Sequence, residues 1–181
     1  AYRLYTLALA GKPALGAMNR MKEREYSVST QWRLALAYAV AGYKDEARKL
    51  VENVTTEVVD YKELSGTYGS QTRDQAMILE TLVALEDDEK AFEMLSTIAD
   101  QMGNGNRWMS TQTTAYSLIA ISRYAEKHSI DKNMNVKISV NNRTETFNQK
   151  QFVSQVFLLS PQQAQEITVE NNGDSPVYAR L

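Results

Sequence analysis

Three copies of one short pattern set the architecture. Ser29-Thr-Gln31, Ser70-Gln-Thr72 and Ser110-Thr-Gln112 each stand before an apolar stretch, with their serines 41 and 40 residues apart. Tyr26, Tyr68 and Trp108 lie two or three residues upstream of them. A period near 40 residues marks a stacked supersecondary unit that buries its apolar face only against its neighbours. A hydroxyl before a helix accepts hydrogen bonds from the orphan N–H groups of the first turn, so Ser29, Ser70 and Ser110 are expected to be N-caps. Thr72 with Gln75 suits a capping box, and each upstream aromatic suits a staple over the turn. The rival reading, a catalytic hydroxyl, has no reason to occur in triplicate.

Each repeat predicts two unlike helices. The first is apolar nearly all round: Trp32, then Leu34 through Ala41, with Ala76–Leu85 and Ala115–Ala125 similar but less extreme. Such a helix must be buried on every side. The second is amphipathic. Ala47, Leu50, Val51, Val54 and Val58 share one face, and Ala91, Phe92, Leu95, Ile98, Ala99 and Met102 do the same in the next repeat. Buried helices alternating with half-exposed ones fit an inner and an outer layer, an α/α toroid. Residues 1–24 supply an earlier pair broken at Gly11-Lys-Pro13, with Pro13 expected in the first turn of its second helix. A tetratricopeptide-like solenoid fits "AYAVAGYKDEARKLVENV" but not the period, which in that family is 34 residues.

After residue 130 the period falls to two. Val136, Ile138 and Val140 alternate with Lys137, Ser139 and Asn141, which predicts a half-buried strand. Asn141-Asn142 is a candidate hairpin turn. Phe152–Leu159, Glu166–Glu170 and Val177–Leu181 read as further strands, with a turn at Asn171–Asp174. The expected fold is therefore mainly α, a partial toroid of helix hairpins over 1–130, followed by a small antiparallel β segment over 131–181.

Composition removes several functions. The chain has 181 residues, 43% of them apolar, and a net charge of −2, without the basic stripe of a nucleic-acid binder. With no cysteine there is no disulfide, thiolate chemistry or Cys-ligated zinc, and the single His128 excludes a His-His metal pair. The longest strongly apolar run, Leu34–Ala41, is far too short to span a membrane. Residue 1 is Ala, and the helical pattern Ala1, Leu4, Tyr5, Ala8, Leu9 is already running, with no signal-peptide pattern before it. The expectation is a piece of a longer polypeptide.

The remaining candidates each have a plain alternative. Glu86-Asp-Asp-Glu89 resembles the magnesium-binding acidic motifs of toroid enzymes such as terpene cyclases, but Asp87 or Asp88 also suits the cap of the next helix. Arg73-Asp74 reads as a glycosidase acid or ligand clamp, or as first-turn residues with Arg73 pairing across a loop. Trp32 and Trp108 suit sugar or prenyl stacking, or core anchoring. His128 suits a helix C-terminal turn. Asn53-Val-Thr55 and Asn142-Arg-Thr144 match the glycosylation sequon, which arises by chance. No catalytic, cofactor-binding or metal-ligating residue is assigned.

The motifs also carry a resemblance. Ser110-Thr-Gln-x-Thr-Ala-x-x-Leu118-x-Ala-Ile121-x-x-Tyr124 resembles the helix motif of bacterial α2-macroglobulins. "AYRLYTLALAGKP" with Gly16-Ala-Met-Asn19, "YGSQTRDQAMILETL", and Asn172-Gly-Asp-x-Pro-x-Tyr178 are similar to the same family. The resemblance implies the thioester-domain toroid of six helix pairs followed by a β domain. It implies an extracytoplasmic parent, periplasmic or at the cell surface and often membrane-anchored, that traps proteases. The family's thioester forms at a Cys-x-Glu-Gln motif, which this chain lacks, so no catalytic residue is carried over. Expected partners are proteases, through the parent, and further copies of the chain through open toroid edges. The competing expectation is an α/α-toroid enzyme acting on a terpenoid or glycan.

Overall fold

The computed structural model describes residues 1–103, 109–129, 134–140, 143–149 and 166–173. Among them run seven helices, α1 (Tyr2–Leu9), α2 (Leu15–Lys22), α3 (Val28–Val40), α4 (Lys44–Val51), α5 (Gln71–Leu85), α6 (Asp88–Gly103) and α7 (Thr111–Ser129). Three strands follow, β1 (Met134–Val140), β2 (Arg143–Gln149) and β3 (Ile167–Asn171). The chain is mainly α with a small antiparallel sheet after the helices. Contacts divide it into two compact units, Ala1–Tyr124 and Ala125–Leu181.

In the helical unit α3 lies between α1 and α5, with α4 also packed on it, and α6 packs on α5. The odd-numbered helices α1, α3 and α5 thus form an inner row, and the amphipathic α4 and α6 back it. Burial follows the sequence pattern. Every residue from Trp32 to Ala39 of α3 is buried, as is nearly all of α5 from Asp74 to Leu82. The outer α4 buries only Ala47 and Val51.

Four expectations are corrected. The first outer helix stops at Val51, so Val54 and Val58 lie beyond it. Val54, Thr55, Thr56, Val58 and Val59 are β-branched, and their stiff side chains crowd a helical turn. The segment runs irregular instead, held by Trp32 Nε1 donating to the Thr55 carbonyl at 2.9 Å and Gln71 Nε2 to that of Val58 at 2.8 Å. Pro13 precedes the N-cap Ala14 rather than entering the first turn of α2. Helix α7 is not buried all round: Thr113, Ser117, Ala120 and Tyr124 form one buried stripe, while Leu118 and Ile119 are exposed. Helix α3 starts two residues earlier than the repeat places it, with Ser27 rather than Ser29 at its N-cap.

The sheet has the order β2-β1-β3, both pairings antiparallel. Val140 pairs with Arg143 across the two intervening residues, and Val136 and Val140 are buried, on the same side of β1 as expected. Across β1 and β3, Lys137 Nζ meets Glu170 at 3.1 Å. The predicted strand Glu166–Glu170 is found one residue later, and Gly173 N donates to Asn171 Oδ1 at 3.1 Å where the following turn begins. Trp108, the turn Asn141-Asn142 and the expected strands Phe152–Leu159 and Val177–Leu181 lie outside the described residues.

Candidate functional site

Two charges interrupt buried apolar runs: Arg33, the one charge of α3, between Trp32 and Leu34, and Glu80 between Leu79 and Thr81 within Ala76–Leu85 of α5. A buried charge is tolerated only when paired and hydrogen-bonded. These two find each other. Arg33 Nη1 donates to Glu80 Oε2 at 2.8 Å, and the side chains are 3% and 4% exposed. The other carboxylate oxygen accepts from Tyr5 Oη at 2.6 Å and meets Arg123 Nη1 at 2.8 Å. The four residues come from α3, α5, α1 and α7. Helix α7 also supplies Tyr116, whose ring stands 5.7 Å from the Arg33 guanidinium carbon, with Tyr5 at 4.6 Å and Tyr2 at 6.0 Å. Burial first, and then the hydrogen bond to Glu80, push the Tyr5 hydroxyl up to about 12. Burial and a bond with Tyr2 push Tyr116 up to about 12 as well.

This arrangement is poor acid–base machinery. A carboxylate that takes three donors, two of them cationic, is held strongly in its ionised form and is a weak base toward a further proton. Its role is to hold four helices at one point. The cluster is also unevenly filled. Arg33 Nε and Nη2 are buried and meet no acceptor among the described residues, and the same holds for the Ser117 hydroxyl on α7.

A second polar group sits at the start of α5. Asp74 Oδ1 accepts from Arg73 Nε and Nη2 at 3.1 and 3.0 Å, and Asp74 Oδ2 accepts from Tyr61 Oη at 2.8 Å. Arg73 Nη1 reaches back to the Thr67 carbonyl at 2.9 Å. Arg73 therefore pairs across the loop, as the plainer expectation had it. Burial, then the bond to Asp74, push the Tyr61 hydroxyl up to about 12. Gly69 lets this ring lie close, since a Cβ there would come within 2.8 Å of Tyr61 Oη. Beside it opens a cleft of about 310 Å³, lined among others by Asp60, Tyr61, Glu63, Tyr68, Ser70 and Thr113. Hydrogen bonds from the Thr67 hydroxyl and the Gly69 N–H hold the Glu63 carboxyl below its usual range, which keeps it ionised rather than a proton donor.

The hydroxyl repeat resolves into two caps and one departure. Ser70 Oγ accepts from Arg73 N at 3.1 Å, and Ser110 Oγ accepts from Thr113 N at 3.1 Å. Thr113 Oγ1 links both serines, at 2.8 and 3.0 Å, so the caps of α5 and α7 share one hydroxyl. Ser29 is not a cap. Helix α3 begins at Val28, its N-cap is Ser27, and Ser27 Oγ bonds the Thr30 hydroxyl at 2.9 Å rather than a backbone amide. Gln31 Nε2 turns back to the Tyr26 carbonyl at 2.8 Å, which draws the chain into the helix early. Nor do Thr72 and Gln75 form a capping box. Both lie inside α5 and bond the side chain of Gln101 on α6. Tyr68 lies half-exposed at the cleft instead of stapling the turn.

The acidic run serves helix ends. Glu86 closes α5 in the left-handed region and pairs with Lys44 at 2.6 Å; Asp87 Oδ1 accepts from Lys90 N at 3.3 Å at the start of α6. Among the described residues no group of three His, Cys, Asp or Glu side chains is placed to hold a metal ion. Trp32 is buried and bonded to Thr55, a core anchor. His128 lies half-buried in the last turn of α7, and Asn53 is exposed just after α4. Sequence reading missed the Arg33–Glu80 pair. Half of its signal lies in the sequence: Arg33 is the one charge of α3, and a buried charge requires an opposite one, but nothing local names Glu80 as that partner. In comparisons with protein-family models and with curated proteins the chain matches none.

Proposed function

We propose that this chain is a non-enzymatic module of an extracytoplasmic, macroglobulin-like protease-trapping protein, its hairpins forming part of an α/α toroid. The observation that carries the reading is the engagement of its buried acids. Glu80 is held by Tyr5, Arg33 and Arg123, and Asp74 by Arg73 and Tyr61. Both hold helices and a loop together and leave no acid–base pair facing a substrate. The alternation of inner and outer helices and the Ser70 and Ser110 caps agree with the motifs that carry the resemblance. Among the described residues no helix is long and apolar enough to cross a membrane; the parent is placed in the periplasm or at the cell surface by the resemblance. The partners are proteases, met through the parent, and further copies through the exposed side chains of Tyr2, Leu7 and Leu9 on α1 and Leu118 and Ile119 on α7.

The test uses the parent protein. Incubated with an endopeptidase, it should form a complex in which the protease loses activity on a folded protein substrate but keeps it on a small amide. Undiminished activity on both substrates refutes the reading. One observation favours the enzyme instead: the cleft beside Tyr61 carries two aromatic rings and two carboxylates, Asp60 and Glu63. Hydrolysis of a chromogenic glycan by the isolated chain, lost in Glu63→Gln, would turn the balance to that reading.

A further inference from the structure

A guanidinium carries five N–H donors in a fixed plane. In Arg33 one of its nitrogens, Nη1, is engaged by Glu80. The nitrogens left over, Nε and Nη2, form the side-on edge of the group, two parallel donors at the spacing of the two oxygens of a carboxylate. Both are buried and meet no acceptor among the described residues. The guanidinium carbon stands over the rings of Tyr2, Tyr5 and Tyr116, which attract its charge but supply no oxygen acceptor to Nε and Nη2. A charged donor left unpaired in an interior is costly. The charges of the cluster also fail to cancel: Arg33 and Arg123 share the single Glu80, an excess of one positive charge.

We propose that the Nε–Nη2 edge of Arg33, assisted by Arg123, is a binding site for a small monocarboxylate where α1, α3, α5 and α7 meet. One carboxylate supplies both missing acceptors and brings the local charge to zero; a dianion such as phosphate would overshoot it. The most exposed members of the cluster are Tyr2 and Arg123, 55% and 39% exposed. Tyr2 is the first residue of α1, where a helix end yields most readily. The anion's entry is therefore placed beside Tyr2, with Arg123 as the exposed positive charge at its mouth. The site belongs to the helical unit alone and stands whether or not the parent traps proteases.

Nuclear magnetic resonance of the ¹⁵N-labelled full chain tests this directly, because each arginine Nε–H gives its own signal and that of Arg33 can be assigned through its side chain. Acetate replaces chloride at constant ionic strength and neutral pH. The expected result is a saturable downfield displacement of the Arg33 Nε–H proton, with the other arginine Nε–H signals smaller in response. Arg123→Gln should weaken the apparent affinity about tenfold, the effect of losing one charge-assisted contact. Arg33→Lys, which keeps the charge and loses the fork, should abolish saturation as read on the Tyr2 ring signals. An Arg33 signal that acetate leaves unmoved overturns the proposal, whatever the variants do. So does tighter binding of inorganic phosphate, which refutes the monocarboxylate, or an unchanged affinity in Arg123→Gln, which refutes the two-arginine site.

Discussion

Helices α3 and α7 are written in similar residues and live in different surroundings. Helix α3 has α1 and α5 beside it and α4 packed on it as well, and no side chain from Trp32 to Ala39 reaches solvent appreciably. Helix α7 carries Leu118, Ile119, Ala120 and Ile121 in a row, yet leaves Leu118 and Ile119 54% and 48% exposed. Apolar residues on every face state how many neighbours a helix can use, not how many it has. The charged pair makes the same contrast inside one cluster: Arg33, from α3, is sealed in, while Arg123, from α7, is partly in water.

The largest expected effect comes from the residue that joins the two helices. Glu80→Ala strands two guanidinium groups, and breaking a buried pair from one side typically costs about 3–5 kcal/mol. Urea unfolding should show a loss of that size, against about 1 kcal/mol or less for Arg123→Gln at the exposed end. Equal losses would mean that α7 is as deeply set as α3.

Next comes the apolar contrast. Leu36→Ala in α3 should cost about 2–5 kcal/mol, and Leu118→Ala in α7 should change stability by less than about 0.5 kcal/mol. If the exposed face of α7 meets a second copy, Leu118→Lys with Ile119→Lys should lower the mass seen by light scattering while leaving the melting temperature in place. A wild-type chain that is already monomeric at every concentration removes that face as an interface.

The smallest effects belong to the caps. Ser70→Ala and Ser110→Ala should each cost about 1 kcal/mol in thermal unfolding, the usual loss of an N-cap oxygen. Ser29→Ala should be close to neutral, because Ser29 already lies inside the helix. A full cap-sized loss there would place the start of α3 back at the repeat.

Much of this was legible in the residues. Ser70, Asp87 and Ser110 marked the starts of α5, α6 and α7, because a cap acts locally and needs no knowledge of the rest of the chain. The alternation of Val136, Lys137, Ile138, Ser139 and Val140 marked β1 for the same reason. The length of α4 was misjudged where two local signals compete: the apolar spacing of Val54 and Val58 continues the helix, and their β-branching ends it. The repeat points to Ser29 as the start of α3, and the helix begins earlier because Gln31 reaches back to Tyr26, a contact the repeat does not encode. The Arg33–Glu80–Arg123 cluster lay further out of reach. Its members are 47 and 43 residues apart in sequence, and only the packing of α1, α3, α5 and α7 brings their charges together.

The position of Glu80 also bears on how the chain folds. Repeat proteins whose units touch only their neighbours can form a piece at a time, from any starting unit. Here one carboxylate takes its donors from residues 5, 33 and 123, the first, third and last helices. Until both extremes of the helical unit have arrived, Glu80 is a buried charge short of partners, and the intermediate hairpins are penalised rather than populated. The loop-closure entropy of joining residue 5 to residue 123 must be met before that penalty is lifted. The unit should therefore rise and fall as a whole, and a copy shortened by either end helix should lose far more than the surface that helix covers.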